Sequence, residues 1–291
     1  MKFAASLMGV RLQSLGDAAK ALEDHGFESV WVPEHVALPA QPPNTYPYTG
    51  DGAPPIPPRT PCYDPFVLLS FVASATSTIR LGTNVYILPL HHPLRTARGT
   101  ATLDRLSGGR VTLGVGAGWL RDEFDWLGED FGNRGHRTDE IIGLLRQLWG
   151  GDLVDSQSSS YRFGPVQFEP RPVQPGGIPI EVGGTSRAAL RRAAHLGDGW
   201  IEIGSTDLPT IAQHIAVLHA LRADVGREDA PFEVTVGHLW ASDADTVRRA
   251  ADVGVTRIMA RPFQGVPLDA AGVGEWAQRF RDNVIEPMSR T

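Results

Sequence analysis

A glutamate and a histidine stand side by side where an apolar run of the sequence ends. The segment SVWVPEH puts Glu34 and His35 directly after residues that are typical of a buried β-strand. Histidine exchanges a proton readily near neutral pH, and an adjacent carboxylate can set its tautomer or charge state. The pattern therefore predicts His35 as an acid/base group with Glu34 beside it, although a histidine in such a position is also often a hydrogen-bonded core residue.

A glycine-rich segment follows another apolar run. The residues GVGAG at 114–118 resemble a dinucleotide-binding fingerprint, but Trp119 stands where the third glycine of that fingerprint belongs. Small residues at the end of a strand instead allow a planar ligand or a neighbouring backbone to approach closely. Ala117 and Gly118 are therefore candidates for such a contact, and Trp119 is placed to face the ligand.

A second glycine-rich segment joins a predicted strand to a predicted helix. The residues EVGGTSRAAL at 181–190 read as a strand, a turn at Gly183 and Gly184, and a helix capped by Thr185 or Ser186. Free amide groups at such a helix start bind phosphate well, and loops late in a barrel often do so. From the residues alone, a phosphate seat and an ordinary tight turn are equally good interpretations.

Polar residues also end a third apolar run. In LGTNVYILPLHHP, Thr83 and Asn84 come where the strand should leave the core. His91 and His92 follow, but adjacent side chains point in different directions, so a metal site built from both is disfavoured. The sequence contains no G-x-S-x-G elbow, Walker loop or paired metal motif, which argues against the common hydrolases.

The spacing of apolar residues predicts the scaffold that positions these groups. Short apolar runs rich in β-branched residues recur, each followed by a segment of helical period. We predict strands at 2–7, 29–34, 79–87, 110–118, 178–184, 199–204, 232–240 and 257–263. Apolar strands that alternate with helices indicate a parallel sheet, and eight such units in one domain, residues 1–291, predict an α/β fold of the (β/α)8 (TIM) barrel type. On one helix, Arg137 and Glu140 are interpreted as a surface ion pair because they lie three residues apart.

Two long segments interrupt the repeat. Residues 36–62 follow the second predicted strand, and residues 151–177 precede the fifth. The first lies at the C-terminal face of the strands, where barrels build their active sites, so its Tyr46 and Tyr48 are candidates for a substrate cover. The second contains YRFGPVQF, a candidate hairpin, and is interpreted either as a lid or as an insertion that covers an edge.

The composition limits the partners and the compartment. A net charge of −6 without a basic cluster argues against nucleic acid, and no apolar run approaches the ~20 residues that cross a bilayer. Arg11 interrupts the N-terminal stretch, which does not resemble a secretory signal. Cys62 is the only cysteine, so no intramolecular disulfide is expected and a cytoplasmic protein is predicted. Only Lys2 and Lys20 are lysines, which indicates a GC-rich genome.

Four segments taken together resemble a known family over nearly the whole chain. They are GFESVWVPEH, LGTNVYILP, RLSGGRVTLGVGAGWLRDEF and EVGGTSRAALRRAAHLGDGW. Their order and spacing resemble the bacterial luciferase-like superfamily, specifically its oxidoreductases that depend on the deazaflavin coenzyme F420. The segment GVGAGWLRDEF resembles a large actinobacterial group within that branch, and the scarcity of lysine agrees with such a source.

The resemblance implies a barrel that holds a flavin or deazaflavin ring at its C-terminal face, usually in a homodimer. His35 matches the histidine that serves as acid/base beside the ring in the sugar-phosphate dehydrogenases of this branch. Asn84 and Val85 match the site of a nonprolyl cis peptide that lies against the ring, and we include the preceding Thr83 in the cofactor site. The remaining matches are Gly183, Gly184 and Thr185 with the phosphate-binding turn, and Ala117 and Gly118 with the strand end beside the ring.

The sequence departs from the sugar-phosphate dehydrogenases at one position. Trp119 stands where those enzymes carry a glutamate that is their proposed second acid/base group. Glucose-6-phosphate oxidation is therefore disfavoured, and Glu34 or Asp122 are the carboxylates that could replace the missing one.

The resemblance and the residues together predict hydride transfer between F420 and a small organic substrate. Trp31, Tyr46, Tyr48, Tyr86 and Trp119 are expected to line the pocket, which favours an apolar or aromatic substrate. The alternative is a monooxygenase that uses reduced FMN and oxygen on the same fold. A second alternative, from another class, is a protein that binds the deazaflavin without catalysis.

Overall fold

A closed barrel of parallel strands forms the centre of the molecule. The computed structural model describes residues 1–151, 153–204, 207–237, 243–261 and 266–289. Its strands are β1 (Lys2–Ser6), β2 (Ser29–Val32), β3 (Arg80–Thr83), β4 (Tyr86–Ile87), β5 (Val111–Gly116), β6 (Val154–Gln157), β7 (Arg162–Val166), β8 (Ile180–Gly183), β9 (Gly199–Glu202), β10 (Glu233–Val236) and β11 (Arg257–Ala260). Eight strands pair in parallel in the order β3-β2-β1-β11-β10-β9-β8-β5, and β5 pairs again with β3 to close the ring. The predicted (β/α)8 barrel is confirmed.

Helices follow the barrel strands, and all but the short last one bury side chains. They are α1 (Leu15–Asp24), α2 (Pro65–Ala75), α3 (Pro93–Ser107), α4 (Arg121–Leu127), α5 (Arg134–Gly150), α6 (Arg187–Leu196), α7 (Leu208–Ala223), α8 (Ala244–Asp252), α9 (Ala270–Phe280) and α10 (Glu286–Ser289). Aspartate side chains cap several of these helices by accepting hydrogen bonds from first-turn amides, as Asp64 does for α2 and Asp269 for α9. Within the described residues, no helix is long and apolar enough to span a membrane.

All eight predicted barrel strands are present, although each is shorter than predicted. The predicted strand at 79–87 is divided into β3 and β4 by a cis peptide bond between Asn84 and Val85. The ends of the last two predicted strands, residues 238–240 and 262–263, lie outside the described residues.

Side chains fill the interior of the barrel, beginning at the end where the strands start. At the N-terminal end, the guanidinium of Arg257 forms ion pairs with Glu28, Glu181 and Glu233. Next to it, Trp31 is 1% exposed and lies 5.3 Å from the Arg257 guanidinium. The prediction that Trp31 lines a substrate pocket is therefore wrong, because its indole fills the core of the barrel.

Tyr86 also lies away from the position predicted for it. Its buried ring stacks on His91 with ring centroids 4.2 Å apart, and it packs on Phe66 of α2 at 4.8 Å. The ring therefore belongs to the packing between the barrel and its helices, and the prediction that Tyr86 lines the pocket is wrong.

The two insertions differ in structure. Residues 151–177 contain the hairpin β6–β7, as YRFGPVQF predicts, with the strands paired antiparallel. Residues 36–62 contain no helix or strand. Their central part forms a compact turn in which the Tyr46 amide donates to the Gly52 carbonyl at 2.8 Å and the Thr49 hydroxyl donates to the Ala53 carbonyl at 2.8 Å.

The predicted ion pair between Arg137 and Glu140 is wrong. Arg137 is 4% exposed, forms an ion pair with Glu129 and donates hydrogen bonds to the Tyr161 hydroxyl at the hairpin. Glu140 instead accepts hydrogen bonds from the amide and hydroxyl of Ser159. The two side chains therefore fasten the hairpin to α5 separately, a role that the spacing alone does not reveal.

A pair of glycine substitutions tests the packing of the barrel interior. A Cβ at Gly82 would lie 2.3 Å from the Trp31 ring, whereas a Cβ at Gly143, inside α5, would meet nothing within 4 Å. We expect Gly82→Ala to destabilise the protein by about 1 to 3 kcal/mol through overpacking. Gly143→Ala should stabilise it by about 0.5 to 1 kcal/mol, because alanine is the better helix former. Urea unfolding measures both, and equal midpoints for the two variants would contradict the packing assignment.

Candidate active site

His35 and a glutamate from another part of the chain form a buried pair at the C-terminal end of β2. The Nδ1 atom of His35 lies 3.0 Å from Oε2 of Glu123, which is 1% exposed and belongs to α4. The other carboxylate oxygen accepts hydrogen bonds from the amides of Val36, at 2.6 Å, and Ala37, at 3.4 Å. A carboxylate that accepts at both oxygens requires Nδ1 to be the donor, which leaves Nε2 of His35 to exchange a proton. Nε2 has no hydrogen-bond partner among the described residues.

Glu34 does not contact His35, so the expectation that Glu34 sets the state of His35 is wrong. Its two carboxylate oxygens accept from the Ile87 amide at 2.6 Å and lie 2.8 Å from His91 Nε2. The reason is geometric, because successive side chains of an extended chain point to opposite sides. Glu34 thus holds the segment that follows the cis peptide. Its predicted catalytic role depended on contact with His35, and the structure does not show that contact.

The cis peptide bond expected from the family resemblance is present between Asn84 and Val85. Val85 projects into space that two glycines leave open: a Cβ at Gly116 would lie 2.6 Å from Val85 Cγ2, and a Cβ at Gly183 would lie 2.8 Å from Cγ1. The Asn84 side-chain amide donates to the sulfur of Met259 at 3.2 Å. These contacts place Asn84 and Val85 at the top of the packed interior, facing the mouth formed by the C-terminal ends of the strands.

Thr83 does not belong to that mouth. Its side chain is 1% exposed, and its hydroxyl donates to the Gly114 carbonyl at 2.7 Å. The prediction that Thr83 belongs to the cofactor site is not supported, because its side chain is buried and its hydroxyl already joins two barrel strands.

The turn between β8 and α6 leaves donors free. The Ser186 hydroxyl caps α6 by accepting from the Ala189 amide at 3.2 Å, whereas the amides of Thr185 and Ser186 and the Thr185 hydroxyl have no partner among the described residues. Gly184 has a φ of +117°, which L side chains rarely adopt. Free amides at a helix start are suited to an anion, so the turn fits a phosphate group.

Gly183 has a different task from Gly184. Because it has no side chain, Gly183 makes room for Val85 and Ile203. A Cβ at this position would lie 3.0 Å from Ile203 Cδ1. Gly183 therefore supports the shape of the mouth through packing, and the donors that stay free for a ligand belong to the next residues, Thr185 and Ser186.

Ala117 and Gly118 lie at the end of β5, as predicted. Gly118 has a φ of +83°, and a Cβ there would lie 2.8 Å from Ile87 Cγ2 and 2.9 Å from the Phe124 ring. The Gly118 carbonyl accepts from Arg134 Nε at 3.1 Å. The glycine is therefore required by close packing beside the mouth, and Ala117 is half-buried beside it.

Three aromatic rings connect His35 with the free turn. Trp119 contacts the His35 ring edge-on at 6.0 Å, Tyr46 contacts Trp119 at 5.1 Å, and Tyr48 contacts Tyr46 at 5.3 Å. Tyr48 in turn packs on Gly204, where a Cβ would lie 2.7 Å from the tyrosine Cβ. We call Trp119, Tyr46 and Tyr48 the aromatic arc. It brings the sequence-predicted cover residues and the predicted acid/base group to one face of the barrel.

The tyrosines of the arc remain protonated at neutral pH. Burial, together with the nearby Tyr48 and the carboxylate of Glu202, raises the pKa of Tyr46 to about 12. Burial and Glu202 also raise the pKa of Tyr48 above its usual value. Both phenols are thus hydrogen-bond donors, and neither hydroxyl has a partner among the described residues.

Sequence reasoning missed Glu123, although it named the adjacent Asp122. Both acidic residues lie in the first turn of α4, where either type favours the helix start. The available signal was the apolar Phe124 that follows, since the helix side that buries Phe124 also buries Glu123. No three His, Cys, Asp or Glu side chains within the described residues are grouped so that they could hold a metal ion.

Comparisons with known proteins agree with this arrangement of a barrel and a site at its mouth. The chain belongs to the luciferase-like monooxygenase family, whose model matches residues 3–283. It is 36% identical over 241 residues to an uncharacterised protein of Mycobacterium tuberculosis, which covers 83% of this chain and 82% of the relative. It is 32% identical over 192 residues to the F420-dependent glucose-6-phosphate dehydrogenase of Nakamurella multipartita, covering 64% of this chain and 51% of the relative. The family model establishes the family of this chain.

Solved structures show the same fold. A monooxygenase from Streptomyces bottropensis superposes with a TM-score of 0.79 at 20% identity, covering 99% of both chains. The F420-dependent tetrahydromethanopterin reductase from Methanopyrus kandleri superposes with a TM-score of 0.76 at 17% identity, also covering 99% of both chains. At these identities the likeness establishes the luciferase-like barrel, on which both oxidoreductases and monooxygenases are built.

The His35–Glu123 pair predicts a specific tautomer. In protein labelled with ¹⁵N-histidine, neutral His35 should carry its proton on Nδ1, because Glu123 accepts there. Glu123→Ala should move the proton toward Nε2, which ¹H–¹⁵N correlation spectra distinguish. Glu34→Ala is the matched control, since it should perturb His91 and leave His35 unchanged. The reverse pattern would show that the pair is assigned to the wrong carboxylate.

Proposed function

We propose that this protein is an F420-dependent oxidoreductase that transfers a hydride between the deazaflavin and a small organic substrate. The observation that carries the proposal is the shared location of the His35–Glu123 pair and the Gly184–Thr185 turn at one barrel mouth. An acid/base group and a phosphate seat are what such a reaction requires of the protein. The 32% identical relative named as F420-dependent supports this cofactor.

The residues of the mouth fit a phosphate-bearing planar cofactor. The free amides of Thr185 and Ser186, together with the Thr185 hydroxyl, would hold its phosphate beside Gly184. Val85 would support the ring from the barrel side. When bound, F420 supplies or accepts the hydride, and His35 Nε2 supplies or accepts the accompanying proton while Glu123 fixes the orientation of the imidazole.

The aromatic arc indicates the class of substrate. Trp119 replaces a carboxylate with an apolar indole beside His35, and Tyr46 extends the same aromatic surface. Such a surface excludes water and binds planar or apolar groups better than sugar hydroxyls. We therefore propose an apolar or aromatic substrate rather than a sugar phosphate. A homodimer and a cytoplasmic location remain predictions from the family resemblance and the sequence.

Cofactor binding is the first test of the proposal. Tryptophan fluorescence of the purified protein, titrated separately with F420 and FMN, should show micromolar or tighter binding of F420 and much weaker binding of FMN. Trp119 makes the signal sensitive to the mouth. Preference for FMN, with oxygen consumption in the presence of reduced FMN, would instead support the monooxygenase alternative.

Removal of His35 is the second test. With reduced F420 and a panel of apolar carbonyl and alkene substrates, His35→Ala should slow turnover by ~100-fold or more while F420 affinity stays within a few-fold. His91→Ala is the matched control, because His91 also pairs with a carboxylate but packs on Tyr86 away from the mouth. Equal turnover of the wild type and His35→Ala would refute the acid/base role. Tight F420 binding without turnover of any substrate would favour the non-catalytic carrier.

A further inference from the structure

Tyr48 of the insertion at residues 36–62 lies directly over the predicted phosphate turn. A Cβ at Gly184 would lie 3.1 Å from the Tyr48 hydroxyl oxygen, and a Cβ at Gly204 would lie 2.9 Å from the ring atom Cδ1. Both glycines have positive φ angles, +117° and +102°. The Tyr48 side chain therefore packs against the backbone just after β8 and just after β9. It fits there because Gly184 and Gly204 have no side chain.

The insertion holds Tyr48 in this place. The turn from Tyr46 to Ala53 closes through the Tyr46 amide and the Thr49 hydroxyl, and it depends on Gly52, where a Cβ would lie 2.4 Å from the Asn44 carbonyl oxygen. At its start, the insertion is fixed to α4 because Glu123 accepts a hydrogen bond from the Val36 backbone amide. Tyr48 is thus presented by a built segment, fastened near its beginning and at its centre.

The Tyr48 hydroxyl is available as a donor. It has no hydrogen-bond partner among the described residues, and burial with the nearby Glu202 raises the pKa of Tyr48, so the phenol keeps its proton. The free amides of Thr185 and Ser186 lie at the same turn. A protonated phenol beside free amides is a suitable partner for phosphate oxygens, because hydrogen bonds to charged groups are stronger than neutral ones.

We propose that the Tyr48 hydroxyl donates a hydrogen bond to the cofactor phosphate bound at the Gly184–Ser186 turn. The insertion would then form one wall of the phosphate site and would be part of the cofactor-binding machinery as well as a substrate cover. This inference rests on the proposed function to the extent that a phosphate-bearing flavin or deazaflavin binds at the turn.

The test compares Tyr48→Phe with the matched variant Tyr46→Phe, whose hydroxyl belongs to the same arc but is not placed over Gly184. Each protein is titrated with F420 and with the deazaflavin riboflavin analogue that lacks the phosphate. Tyr48→Phe should weaken F420 binding by ~10-fold or more and leave binding of the analogue unchanged. Tyr46→Phe should change neither affinity by more than a few-fold. Thermal unfolding confirms that both variants keep the wild-type fold.

The outcomes separate the two proposals. If Tyr48→Phe binds F420 as tightly as the wild type, or more tightly, the hydroxyl is not a phosphate ligand, and tighter binding would mark Tyr48 as an obstacle in the site. An equal loss for F420 and for the analogue would also overturn the inference. If the wild type prefers FMN, the F420 assignment fails, and the same comparison with FMN and riboflavin still tests Tyr48.

Discussion

The site depends on where Glu123 directs its two carboxylate oxygens. One oxygen accepts a hydrogen bond from His35 Nδ1. The other accepts hydrogen bonds from the backbone amides of Val36 and Ala37, the first residues of the insertion. A single buried charge therefore fixes the orientation of the imidazole and the direction in which the chain leaves β2. Because a buried carboxylate is costly unless its lone pairs are satisfied, these three donors and Glu123 stabilise one another. His35, the proposed acid/base group, and the beginning of the insertion at residues 36–62 are consequently parts of one structural unit.

Glycine residues shape the mouth of the barrel, because their lack of a side chain makes room for neighbouring residues. Val85 occupies the space that Gly116 and Gly183 leave, and Tyr48 occupies the space over Gly184 and Gly204. Below the mouth, Trp31 and Met259 pack in the barrel interior with Val85 against them, so the Val85 side chain forms the floor of the mouth. The glycine-rich strand ends thus make room for neighbouring side chains, and the donors that remain free are the amides of Thr185 and Ser186 that follow them.

The sequence predicted the barrel well because alternating apolar strands and helices are a repeated, local signal. It placed His35 and the glycine turn correctly at the strand ends, and the resemblance predicted the Asn84–Val85 cis peptide. It failed where the answer depends on side-chain direction. Glu34 is adjacent to His35 but points to His91, and Thr83 is turned into the barrel toward Gly114. The partner that His35 does have is 88 residues away, and no local pattern identifies a contact of that range.

The replacement of a family glutamate by Trp119 has a different meaning once the structure is considered. From the sequence, the loss of that carboxylate disfavoured glucose-6-phosphate oxidation, left Glu34 or Asp122 as possible replacements, and kept a non-catalytic carrier as an alternative. In the structure, His35 is paired with Glu123, four residues after Trp119 in the sequence, so the histidine retains a carboxylate that orients it. The indole then changes the surface beside the histidine rather than removing its support. An aromatic surface beside a histidine that a carboxylate orients supports the proposed oxidoreductase over the non-catalytic carrier.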